Sequence, residues 1–141
     1  MSLVVTRELL DQITAHGEIS YPEEGAGFLL GEEGEPRRVL AIIKLPNSRE
    51  DGARRNRYLI SPQDYLKAES EADRLGLTLI GVFHSHPDHP DEPSTYDREW
   101  AQPWFSYAIT RIDLGHSQAS RCWRLLENRD SFIEESILVE N

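Results

Sequence analysis

A chain of 141 residues is long enough for one domain with its own core, spanning 1–141, and too short for two comfortable ones. With 38% hydrophobic and 28% charged residues it reads as a globular protein, and no apolar run reaches the length of a membrane-spanning helix. A formal net charge of −10 excludes a general nucleic-acid or anionic-membrane binder, and the single Cys122 excludes an intramolecular disulfide. The amino end lacks the basic start and apolar stretch of a signal peptide, so a reducing, cytoplasmic setting is expected.

In chain order, Thr6 caps a helix to about Gly17 with Leu9, Leu10 and Ile13 on one face, and His16 near its end is assigned no chemistry. Residues 25–31 and 38–45 read as two strands of a hairpin, joined by the polar turn 32–36. Residues 47–56 form a charged loop. Its neighbourhood holds Arg49, Arg54, Arg55 and Arg57, either a patch for an acidic partner or a solvated loop. After a short extended piece at 58–60, Ser61 as N-cap and Pro62 at the first helical position start a helix to Leu75, and Gly76 stops it.

Residues 77–83 are apolar and partly β-branched, as expected of a buried strand that carries His84 and His86 at its C-terminal end. A proline-rich loop and a short helix over 94–102 follow, closed by Pro103. Strands are predicted at 105–111, 120–126 and 131–139, with His116 in a solvated loop and Cys122 as a small core residue rather than a nucleophile. There is no internal repeat. The alternation predicts an α/β fold, a mixed β-sheet flanked by helices.

Two histidines at i and i+2 leave the same face of a strand, so His84 and His86 can converge on one ion. Asp97 lies far enough along for the intervening loop to fold back. Two His and one Asp give three protein ligands for zinc, with a fourth position left for water, which marks a catalytic rather than a structural site. The same segment also has the form of a capping box, Ser94 at the N-cap and Asp97 at the third helical position. The two roles are compatible, because a helix starting at Ser94 holds Asp97 in its first turn.

His-x-His, seven residues, Ser, two residues, Asp resembles the signature of the JAMM metalloproteases, the catalytic branch of the MPN domain family. The family's glutamate, in Glu-x-x-Gly followed by a short apolar run ending in Gly, is matched by Glu24 to Gly31. The resemblance covers essentially the whole chain and implies an MPN fold, related to the cytidine deaminases. It implies Zn2+ at His84, His86 and Asp97, with Glu24 as general base and acid and Ser94 as donor to the oxyanion of the tetrahedral intermediate. Ser85 is a weaker oxyanion candidate because strand alternation turns it to the opposite face. His89 reads as a spare ligand, a substrate contact or a solvated loop residue. Ala26 stands where stand-alone bacterial members often carry Cys.

The resemblance further implies cleavage of an amide bond at the C-terminal Gly-Gly tail of a ubiquitin-like or sulfur-carrier β-grasp protein. With 44 residues after Asp97, the chain is similar to the compact prokaryotic members. A non-catalytic MPN-type scaffold is the alternative, and such relatives usually lack one or more ligands. A zinc deaminase needs more than one cysteine in its ligand set and is excluded.

Overall fold

The computed structural model describes residues 1–46 and 60–141. The elements in order are β1 (Ser2–Thr6), α1 (Arg7–Ser20), β2 (Ala26–Glu32), β3 (Arg37–Leu45), α2 (Pro62–Leu75), β4 (Thr78–Pro87), α3 (Thr95–Trp100), β5 (Ser106–Asp113), β6 (His116–Leu125) and β7 (Phe132–Glu140). The arginines at 49, 54, 55 and 57 and most of the extended piece at 58–60 lie outside the described residues.

The fold is α/β with a mixed sheet, and the sheet closes on itself. Strands run in the order β1-β3-β2-β4-β5-β6-β7, and β1 joins β7 in parallel, Leu3 opposite Ile137 and Val5 opposite Val139. β1 goes unmarked in the sequence, because its five residues carry no turn signal and its partners, β3 and β7, are both distant along the chain. All three central residues, Leu3, Val4 and Val5, are buried.

Both faces of the central strands are covered. Phe28, Leu30 and Val82 pack with Ala68 and Ala72 of α2, whereas Leu29 joins Leu3, Val5, Ile13, Ile80 and Cys122 in a second core against α1. Gly27 lets β3 and β4 approach closely: a Cβ there would stand 2.2 Å from the Ile43 carbonyl oxygen and from the Phe83 ring.

Boundaries move where tertiary packing overrides local signals. Gly17 does not stop α1; it is buried mid-helix, where a Cβ would come within 3.1 Å of Ser85 and Ile112, and the helix continues to Ser20. The helix predicted over 94–102 is shorter, Thr95–Trp100. His116 is not in a loop: the β5–β6 turn falls at Leu114 and Gly115, both with positive φ, so β6 starts at His116.

Candidate metal centre and active site

The site lies where the start of β2 meets the end of β4. These strands are antiparallel, with Ala26 opposite His84, and continuing that register sets Gly25 beside Ser85 and Glu24 beside His86. Two hydrogen bonds fix this end: Ser85 N–H donates to the Gly25 carbonyl at 2.9 Å, and Gly25 N–H donates to Ser85 Oγ at 2.8 Å. Ser85 does face away from the histidines, as alternation predicts, and its hydroxyl holds the backbone next to Glu24. Nothing in the sequence pattern marks that role.

Asp97 arrives from α3. Ser94 N–H donates to Asp97 Oδ2 at 2.9 Å and Asp97 N–H donates to Ser94 Oγ at 3.0 Å, a complete capping box. The same carboxylate spans both imidazoles, with Oδ2 at 3.1 Å from His86 Nε2 and Oδ1 at 3.7 Å from His84 Nε2. Glu24 approaches the other ring nitrogen of His84, Oε1 at 3.6 Å from Nδ1. Glu24, His84, His86 and Asp97 are all buried, none more than 4% exposed. Ser94 is at the surface.

His86 Nδ1–H donates to the Pro90 carbonyl at 2.6 Å. In the neutral ring this turns the Nε2 lone pair toward Asp97 Oδ2, so two acceptors face each other at 3.1 Å. A second ring proton or a cation between them reconciles the contact. The His89 ring lies stacked on His86, centroids 4.2 Å apart and 19° from parallel.

Burial drives the His84 imidazole down from 6.5 to about 4, against the pull of Asp97 and with the help of His86, so it is neutral at physiological pH. Burial pushes the Asp97 carboxyl up, but His84, the His86 hydrogen bond and the Ser94 backbone N–H outweigh it and hold Asp97 below its ordinary value, ionised. The chemistry of this donor set suits a divalent cation. Ligands around a tetrahedral zinc at about 2.0–2.1 Å stand about 3.3 Å apart; Asp97 Oδ2 at 3.1 Å from His86 Nε2 is close to that length, and the other oxygen, Oδ1, lies 3.7 Å from His84 Nε2. Among the described residues, the group that offers one ligand atom each, all within 4.8 Å of one another, is Glu24, His84 and His86, and Asp97 stands beside it at 3.1 and 3.7 Å from the two imidazoles.

Residues 6–126 match the family described as prokaryotic homologs of the JAB domain. A probable TtuB-protein conjugate cleaving protease of Thermus thermophilus is 36% identical over 111 residues, 79% of this chain and 71% of the relative. A desampylase of Pyrococcus furiosus is 29% identical over 117 residues, covering 83% of this chain and 76% of that one. Among solved structures, a protein from Salinibacter ruber is 40% identical and superposes with a TM-score of 0.75 over 100% of this chain and 92% of its own. The chain that brings Glu24, His84, His86 and Asp97 together at one buried strand end belongs to the family of prokaryotic homologs of the JAB domain.

Proposed function

We propose that this protein is a zinc-dependent isopeptidase that hydrolyses an amide bond at the C-terminal Gly-Gly tail of a ubiquitin-like or sulfur-carrier β-grasp protein. The observation that carries the reading is the Asp97 carboxylate spanning the Nε2 atoms of His84 and His86, with Glu24 Oε1 at 3.6 Å from His84 Nδ1 and a Glu24 carboxylate oxygen within 4.8 Å of ring nitrogens of both histidines. His84, His86 and Asp97 are assigned to the metal. Zinc bound there supplies Lewis acidity toward the scissile carbonyl and lowers the pKa of water.

Glu24, outside that ligand set, takes the proton from the attacking water and returns it to the leaving amine nitrogen. Ser94 uses its Oγ as acceptor in the cap, which leaves its hydroxyl hydrogen to donate to the carbonyl oxygen as negative charge develops there. With Glu24, His84 and His86 each only 1% exposed, a slender chain reaches the centre most readily, and Gly-Gly is the thinnest that a protein tail offers. The names of the relatives, a conjugate-cleaving protease and a desampylase, support the same substrate class. The complete set of four buried groups speaks against a non-catalytic scaffold, and a cytoplasmic setting accords with this substrate.

The test is to incubate the purified protein with a β-grasp carrier joined through its C-terminal glycine to a lysine side chain, alongside a cysteine adduct of the same carrier. Cleavage is expected to disappear with a chelator and to return on adding zinc. Undiminished cleavage in chelator would overturn the reading.

A further inference from the structure

The loop between β4 and α3 is tied down from a strand that contributes nothing to the four-residue centre. Arg121 and Trp123, two residues apart on β6, project to one side of it while Cys122 between them enters the core. Trp123 Nε1–H donates to the Asp91 carbonyl at 3.1 Å, and the Arg121 guanidinium lies over the Trp123 ring, 4.5 Å from its centroid. Arg121 also donates to Glu92 Oε1 at 3.3 Å, approaches Asp91 Oδ1 at 3.9 Å, and is braced from β7 by Glu134 at 2.8 and 3.1 Å. Asp91 is only 8% exposed, and its Oδ2 accepts no hydrogen bond among the described residues.

The consequence falls on one peptide unit. The Pro90 carbonyl that accepts His86 Nδ1–H belongs to the peptide joining Pro90 to Asp91. Pro90 has its φ fixed by its ring and no N–H with which to anchor itself. The direction of that carbonyl is therefore set from the Asp91 side, where Trp123 grips the next peptide and Arg121 faces the side chain.

We propose that Trp123 and Arg121 are positioning residues that hold His86 as the Nδ1–H tautomer with Nε2 aimed at Asp97, acting through Asp91 and the Pro90 carbonyl. Its bearing on catalysis rests on the metal-centre reading above. Groups that orient a ligand's second nitrogen typically change metal affinity by about 10- to 100-fold.

The test is Trp123→Phe, which keeps an aromatic face for Arg121 and removes the N–H donor together with part of the indole. Two quantities are read: the His86 tautomer in metal-free protein from long-range 1H–15N correlation spectra, and zinc affinity by competition with a chromophoric chelator. The variant should populate the Nε2–H tautomer of His86 and bind zinc about tenfold more weakly. Arg121→Gln, at a partly exposed position, should shift both in the same direction by less and serves if the tryptophan variant does not fold. Wild-type tautomer populations in the folded variants would overturn the proposal, whatever their stability. If the parent protein binds no zinc and the tautomer still shifts, the clamp stands and the metal-centre reading falls.

Discussion

The Asp97 carboxylate closes the N-terminus of α3 and lies between two imidazole nitrogens, so a change there acts on a helix and on the centre together. Ser85 separates such roles more cleanly, because its hydroxyl accepts from the Gly25 N–H, beside Glu24. Ser85→Ala leaves the Gly25 N–H buried without its acceptor, an expected cost of about 1–3 kcal/mol in denaturant titration. Turnover should fall by roughly 10- to 100-fold at unchanged zinc content, since small displacements of a proton-transfer group are costly. His84 gives a pH signature in metal-free protein. Its folded value of about 4 lies below 6.5, so the unfolded chain binds a proton that the folded one refuses. The stability that His84 contributes is present above pH 6.5 and is lost as pH falls toward 4, by about 3 kcal/mol. Asp97, also lowered, adds to the loss on the acid side. Unfolding titrations in chelator between pH 7 and 4 check the sign.

Elements with local punctuation were legible in the sequence. The Ser61 cap, Pro62 and the left-handed Gly76 bound α2 at the residues predicted, and Ser61 forms a full capping box with Asp64. Removing it with Ser61→Ala should cost about 1 kcal/mol, measured as a shift of the denaturation midpoint at constant slope. Elements whose reasons are non-local were not legible. β1 exists because β3 and β7 leave a gap that Leu3, Val4 and Val5 fill, and α1 runs through Gly17 because Ser85 and Ile112 need its missing side chain. The same distinction holds in the site. His84, His86, Asp97, Ser94 and Glu24 sit at spacings that a motif displays, whereas the Pro90 carbonyl and Ser85 act through contacts visible only once β2, β4 and the loop are folded. The glycine of Glu-x-x-Gly also acquires a reason, because Gly27→Ala would drive a Cβ into the Ile43 carbonyl.

Across the whole molecule, barrel closure brings together charged groups that read from sequence as unremarkable strand positions. Glu135 on β7 is 1% exposed, accepts hydrogen bonds from Ser106 Oγ at 2.7 Å and Cys122 Sγ at 3.2 Å, and pairs with Arg124. Arg37 of β3 reaches the same Ser106 at 2.7 Å and the Ile80 carbonyl at 3.2 Å. Five strands, β3 to β7, thus share one buried network. Glu135→Ala strands the Arg124 charge and should destabilise by about 3–5 kcal/mol in chemical denaturation. Burial and Glu135 both push the Cys122 thiol up, so it should resist alkylation until the protein unfolds.

At the centre that this frame supports, the proposed roles are metal binding for Asp97 and proton transfer for Glu24. Zinc per chain and conjugate cleavage, measured on the same samples of wild type, Glu24→Gln and Asp97→Ala, separate the two roles. The expected result is one zinc and no cleavage for Glu24→Gln, and neither zinc nor cleavage for Asp97→Ala. Loss of zinc in Glu24→Gln with retention in Asp97→Ala would contradict it, and would make Glu24, His84 and His86 the ligand set.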